Sequence, residues 1–214
     1  MSFKLFATIV SCSQRATVRA GTEAELRAAG LEPVVYLSPC QPAGPQGHAA
    51  VSALALRDAQ ESGLDWLFCE DDLTLSPGFP AALQKAQASG GVTYLYLHED
   101  ERSMTIRYPD EILEQIRRRS AGLTPRHVRL LDAQFLESAQ CVLIPAAAAA
   151  QMRVEALERL GLSFDMFLEA FLRETRRSAF AMVPCPVQHL EAREGRGSVP
   201  TGSRTSLSHD LAVT

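Results

Sequence analysis

The chain has 214 residues, 46% of them hydrophobic and 21% charged, with a mean hydropathy of -0.03; that is enough for one substantial core and tight for two. A formal net charge of -4 supplies no global attraction to nucleic acid or an acidic membrane surface, although it leaves room for a local basic groove. No apolar run approaches transmembrane length. The opening MSFKLFATIV has one lysine and no small-residue cleavage site, so it reads as a core strand and not as a signal peptide.

Phe3 to Val10, rich in β-branched and aromatic residues, is the first predicted strand. Ser11 to Arg15 makes a polar loop, and Thr17 to Ala29 a helix stopped by Gly30. A second strand runs from Pro33 to Leu37. Three prolines and two glycines between Ser38 and Gly47 specify a loop. His48 to Ser62 is helical, with Val51, Leu54 and Leu56 as an apolar stripe and Gly63 closing it.

Next comes a short buried strand, Asp65 to Cys69, that runs straight into Glu70-Asp71-Asp72. Three adjacent carboxylates repel one another and contribute nothing to a core. They make sense around a cation, most simply a hard divalent metal with oxygen ligands. Ligands gather at the carboxyl ends of strands in open α/β sheets, which is where this cluster falls. The competing reading is a solvated acidic turn that starts the next helix.

Phe79 to about Ala88 follows as a helix, then Val92 to Leu97 as a strand ending in His98-Glu99-Asp100. Asp110 to Ser120 is predicted helical, with a basic stretch after it at Arg126, His127 and Arg129. Cys141 to Ile144 is a strand halted by Pro145. Ala146 to Leu160 reads as one helix, Ser163 as the N-cap of a further helix to Arg173, and Ala179 to Val183 as the last strand. The alternation predicts a mainly parallel, Rossmann-type sheet covered by helices on both faces. Residues 1–190 then form a single domain, and 191–214, rich in Gly, Ser and Arg, a flexible tail or lid. Cys12, Cys40, Cys69, Cys141 and Cys185 show no C-x-x-C spacing, which suits small buried residues in a reduced cytoplasm better than disulfides or zinc.

Four segments in this order resemble the GT-A glycosyltransferase superfamily, over about residues 3 to 198. LFCEDDLTLSPGF (Leu67 to Phe79) resembles its D-x-D or E-D-D motif; AQCVLIP (139–145) resembles its acceptor-side strand; FDMFL (164–168) resembles the helix start that follows; and PCPVQH (184–189) resembles its terminal strand and loop. The resemblance implies a GT-A-like α/β fold and a glycosyltransferase; the unpaired cysteines and the lack of a targeting signal make it a cytoplasmic one. Such an enzyme moves a sugar from a nucleoside-diphosphate donor, a UDP-sugar first among them, to a hydroxyl acceptor. A glycan, a lipid-linked sugar, a protein or a modified nucleobase would each serve as acceptor. It also implies Mn²⁺ or Mg²⁺, which clamps the diphosphate and neutralises its developing charge.

Carried residue by residue, the resemblance makes Asp72 a metal ligand, with His189 the second. Glu70 or Asp71 then holds sugar or ribose hydroxyls or a metal-bound water, with Asp71 also open as a ligand, and Arg15 contacts the nucleotide. Asp165 becomes the general base of an inverting enzyme, or an acceptor-orienting group in a retaining one. Arg193, Arg196 and Ser198 would fold over the diphosphate. Each has a plainer reading: a solvated helix-start arginine for Arg15, a surface histidine for His189, simple helix stabilisation for Asp165, a polar terminus for the tail. Ser38-Pro39-Cys40 departs from the pattern, because these enzymes often place an acid there to read the base.

Two other function classes stay open. Glu70 to Asp72 together with His98 to Asp100 would suit a metal-dependent phosphohydrolase or nuclease. Arg117, Arg118 and Arg119, with Arg126, His127 and Arg129, would suit a non-catalytic α/β module that binds an anionic partner.

Overall fold

The structure is a computed structural model that describes residues 3–38, 45–96, 98–99, 129–133, 139–161, 163–177, 179–183, 185–189 and 205–206. In chain order the elements are β1 (Leu5–Cys12), a 3-10 turn (Ser13–Arg15), α1 (Ala16–Ala28), β2 (Val34–Ser38), α2 (Pro45–Ser62), β3 (Asp65–Glu70), β4 (Leu73–Leu75) and α3 (Phe79–Ser89). They continue with β5 (Val92–Tyr94), β6 (His98–Glu99), β7 (Arg129–Ala133), β8 (Cys141–Ile144), α4 (Ala146–Ala149), α5 (Val154–Leu160), α6 (Phe164–Thr175), β9 (Ala179–Val183), β10 (Val187–His189) and β11 (Thr205–Ser206).

Seven strands form one sheet in the order β2-β1-β3-β8-β5-β9-β7. The β1–β2, β1–β3 and β5–β9 pairs are parallel, whereas β8 runs against both of its neighbours and β7 runs against β9. Five strands therefore share one direction and two oppose it. The expected α/β sheet is present, and it is mixed because two strands enter from the opposite end.

Side-chain alternation along β3 divides the core in two. Trp66 and Phe68 face one cluster with Val10, residues of α2 and α5, and Phe164, Phe167 and Leu168 of α6. Leu67 and Cys69 face the other, with Ile9, Leu26 of α1, and Phe79, Leu83 and Ala86 of α3. Helices thus cover both faces, as the alternation of elements predicts. Phe68 and Phe164 stack with centroids 4.2 Å apart, and Trp66 meets both edge-on at 5.6 and 5.2 Å; such pairs add about 0.5–1.5 kcal/mol each beyond their buried area. The Trp66 indole nitrogen donates to Thr8 Oγ1 at 2.8 Å, which satisfies the one polar atom of a fully buried ring.

Several elements differ from expectation. The helix predicted over 146–160 is broken at 150–153. The Gln60 amide of α2 donates to the carbonyls of Ala149 and Met152, both at 2.8 Å, and so satisfies the backbone where the helix stops. Ser163 occupies the N-cap position of α6 in extended conformation, but its side chain makes no capping bond. Arg129, the end of the basic stretch, begins β7 at the sheet edge. The strand expected over 92–97 is shorter, β5 ending at Tyr94, and His98–Glu99, expected as its polar end, forms a separate strand β6 that pairs with β11, a short strand within the C-terminal segment. The helix predicted at 110–120 and the basic residues from Arg117 to His127 lie outside the described residues.

Candidate functional site

The five co-directional strands end at one edge of the sheet, and the acidic run leaves that edge from β3. Val10 pairs with Glu70 in the parallel β1–β3 register, so the chain beyond it brings the loop after β1 against the loop after β3. Ser11 Oγ donates to Asp71 Oδ2. Arg15, held at the start of α1 by the short 3-10 turn, spans both acids. Its Nε lies 2.8 Å from Asp71 Oδ1 and 3.0 Å from Oδ2, and a terminal nitrogen lies 2.6 Å from Asp72 Oδ2. The two carboxylate side chains are 6% and 3% exposed against 31% for Arg15, so the acids are enclosed while the arginine reaches solvent. Arg15 is therefore not a solvated helix-start residue, and the acids are not a solvated turn.

Charge and burial compete at Asp71. Burial is the largest influence and lifts its carboxyl above the ordinary 3.8. The Ser11 hydroxyl and the Arg15 guanidinium pull it down, and the neighbouring Asp72 charge pushes it up again.

Helix α1 also fixes the backbone of the acidic turn. The buried Thr22 hydroxyl lies 2.9 Å from the Asp71 carbonyl and 3.1 Å from that of Leu73, and it accepts the Leu73 amide at 2.9 Å. One turn on, Glu25 accepts Thr74 Oγ1 at 2.9 Å and also the Leu75 amide. Thr22→Val keeps the shape but strands these backbone groups, each worth about 1–3 kcal/mol when left unsatisfied. A drop of that size in unfolding free energy is expected from urea denaturation, and an unchanged midpoint would show that the turn holds without Thr22.

Glu70 projects to the opposite face from Asp71, as alternation demands. There its Oε1 lies 3.9 Å from His48 Nε2, whose Nδ1 is 3.5 Å from Ser52 Oγ. His48 also meets the edge of Phe68, with centroids 6.5 Å apart. The first turn of α2 thereby brings a histidine to the acidic strand end, and the sequence reading took it only as the start of a helix. The available signal was its position directly after the Pro/Gly-rich loop that follows β2. On this same face, Phe164 stacks on Phe68, which places the start of α6 on the Glu70 side. Asp165 there is partly exposed, and its Oδ1 accepts the Met166 amide at 2.9 Å, a bond that by itself serves helix stability.

The antiparallel β4–β10 ribbon carries the other expected ligand. Its register sets His189 opposite Leu73, one residue beyond Asp72. β10 was expected as a loop, and pairing with β4 is what returns this segment to the acidic turn. On the other flank, the Glu70 amide donates to the Gln140 carbonyl at 2.7 Å, so the residue preceding β8 also borders the site. The structure thus groups Arg15, Glu70, Asp71, Asp72 and the backbone of His189 at one strand edge. Arg193, Arg196 and Ser198 lie outside the described residues, as does Asp100.

Among the described residues, no three His, Cys, Asp or Glu side chains converge as a metal-holding group. A two-residue ligand set completed by a donor diphosphate and water does not require one, and small divalent ions are commonly held by one or two protein groups plus substrate phosphates. A carboxylate such as that of Asp72 is the donor type that suits Mg²⁺ or Mn²⁺. A separate cavity of about 230 Å³, lined by Gly91, Pro145, Ala148, Arg177 and Phe180 among others, opens at the far end of the sheet and contains none of these groups. No helix among the described residues is long and apolar enough to cross a membrane. Comparison with known proteins finds no family model and no curated protein that matches this chain.

Proposed function

We propose that this chain is a metal-dependent glycosyltransferase of GT-A type that takes a nucleoside-diphosphate sugar as donor and a hydroxyl group as acceptor. The observation that carries the reading is the β4–β10 register. It sets the His189 backbone opposite Leu73, the residue after Asp72, and so returns to the acidic turn the segment that the resemblance names as the source of a second ligand. Arg15 across Asp71 and Asp72 adds a cation with a phosphate-compatible fork at the same edge.

In this reading Asp72 and His189 would hold the divalent ion, which when bound would neutralise charge on the donor diphosphate. Asp71, buried and tied to Ser11 and Arg15, keeps the turn in place so that Asp72 is presented at a fixed position. Arg15 has exposed surface from which it can meet phosphate oxygens without leaving the acids. Glu70 faces the other way and, with His48 beside it, offers acceptors and donors to sugar hydroxyls. The helix start at Asp165 lies on that same side, which suits a carboxylate that binds or deprotonates the acceptor hydroxyl.

A thermal-shift screen of nucleoside diphosphates and nucleotide sugars, each with and without Mn²⁺, tests the reading. A ligand at a hundredfold excess over its dissociation constant stabilises the native state by about 2.7 kcal/mol. The expected result is a raised melting temperature with one nucleotide only when Mn²⁺ is present. Stabilisation by the metal alone, with no nucleotide preference, would replace the transferase by a phosphohydrolase, and no response to either would favour a binding module.

A further inference from the structure

Cys69 and Cys141 lie far apart in the chain yet directly opposite one another in the antiparallel β3–β8 register, with their sulfurs 3.7 Å apart. Both side chains are fully buried in the same apolar cluster. The hydrogen-bond pattern around them identifies the kind of pair they form. The next pair towards the acidic end carries the ladder bond from the Glu70 amide to the Gln140 carbonyl, while the Cys141 carbonyl turns away from β3 and accepts the Leu95 amide of the chain beyond β5 at 3.0 Å. Cys69 and Cys141 therefore occupy a non-hydrogen-bonded site, where Cα atoms of an antiparallel pair approach to about 4.5 Å. That spacing falls inside the range of about 4.4–6.8 Å that disulfides span.

We propose that Cys69 and Cys141 are a cross-strand redox pair, closed by a small two-electron oxidant of the hydrogen peroxide class, that staples β3 to β8 directly beneath Glu70 and Gln140. One thiolate attacks peroxide, breaking its O–O bond, to give a sulfenic acid and hydroxide, which takes up a proton to become water. The second thiol then displaces the sulfenic oxygen, which leaves as a second water. Two thiols and one peroxide thus give one disulfide and two waters, with each sulfur losing one electron. Peroxide is small enough to reach a buried pair, whereas bulky disulfide reagents need the strands to part. Burial pushes the Cys141 thiol well above its ordinary range, so the reaction is slow.

The closed pair bridges cysteines 72 residues apart, and a link across a long chain segment restricts the unfolded state most. It also fixes the strand from which Glu70 and Asp71 emerge. The test is peptide mapping under non-reducing conditions of the full-length protein, oxidised while folded by dilute hydrogen peroxide and then alkylated in denaturant. The expected result is a linked peptide containing Cys69 and Cys141, a mass lower by about 2 Da, and a raised melting temperature that dithiothreitol returns to the starting value. The Cys69→Ala variant should lose both the link and the rise. Recovery of both residues alkylated or over-oxidised to sulfinic acid, linkage of either to another cysteine instead, or a link that lowers the melting temperature would each overturn the proposal. The mapping is read on the unaltered chain, so it stands even if the variant folds poorly.

Discussion

Arg15→Ala is expected to unfold this protein more readily than any other single change at the acidic edge. The substitution leaves Asp71 and Asp72, both nearly inaccessible to water, facing each other without their shared cation. Removing one member of a buried ion pair costs about 3–5 kcal/mol, and the partial exposure of Arg15 brings the expected loss to roughly 2–3 kcal/mol. Its pH dependence has a definite sign. Asp71 in the folded chain already titrates above its ordinary 3.8, with burial as the main cause and Arg15 among the opposing influences. Without Arg15 that carboxyl rises further. A carboxyl raised in the folded state binds its proton more tightly than in the unfolded chain, so stability is greatest below the unfolded value and is lost as pH rises through the folded one. The destabilisation of the variant relative to the parent should therefore be large at neutral pH and shrink as pH falls towards the ordinary aspartate range. Denaturant unfolding at a series of pH values measures this. A pH-independent difference would mean that Arg15 acts through packing alone. Millimolar Mn²⁺ should restore part of the variant's melting temperature, because a divalent cation can take the vacated place between the acids.

The acidic run was readable because it breaks a rule: an apolar strand does not end in three carboxylates for the sake of its core. The order of β1, α1, β2, α2, β3 and α3 was readable for the opposite reason, since each has the period and the stop residue its element demands. What escaped were features fixed by distant partners. The direction of β8 follows from where its chain returns to the sheet, and nothing in Cys141-Val142-Leu143-Ile144 encodes it. β4 and β10 are three residues each and exist by pairing with one another. The break after α4 is stabilised by Gln60, a residue about ninety positions upstream. His48 and Glu70 meet only because α2 packs over β1 and β2 and its first turn reaches Phe68 of β3, and Cys69 meets Cys141 only because the register allows it. Local pattern identified Asp71 and Asp72 as unusual; their cation, Arg15, came from the strand order.

Asp72→Asn separates the structural part of this site from its chemistry. The three paired groups carry one positive and two negative charges, so the asparagine variant leaves Arg15 and Asp71 in balance. The amide oxygen can still accept the Arg15 bond now made at 2.6 Å. A stability change within about 1 kcal/mol is therefore expected, far smaller than for Arg15→Ala, although Asp72 is the more deeply buried residue. The carboxylate charge is also what a hard divalent ion selects, and an amide oxygen replaces it poorly. The Mn²⁺-dependent part of nucleotide binding should consequently fall by at least about a hundredfold, since first-contact ligands matter at least as much as the outer partners whose loss costs 10–100-fold. Calorimetric titration of the nucleotide found in the thermal screen, with and without Mn²⁺, reads the two effects separately. A variant that keeps metal-dependent affinity would remove Asp72 from the ion and leave the acidic edge as an arginine-locked turn. A variant that keeps the parent's stability and loses the Mn²⁺-dependent affinity places Asp72 on the ion.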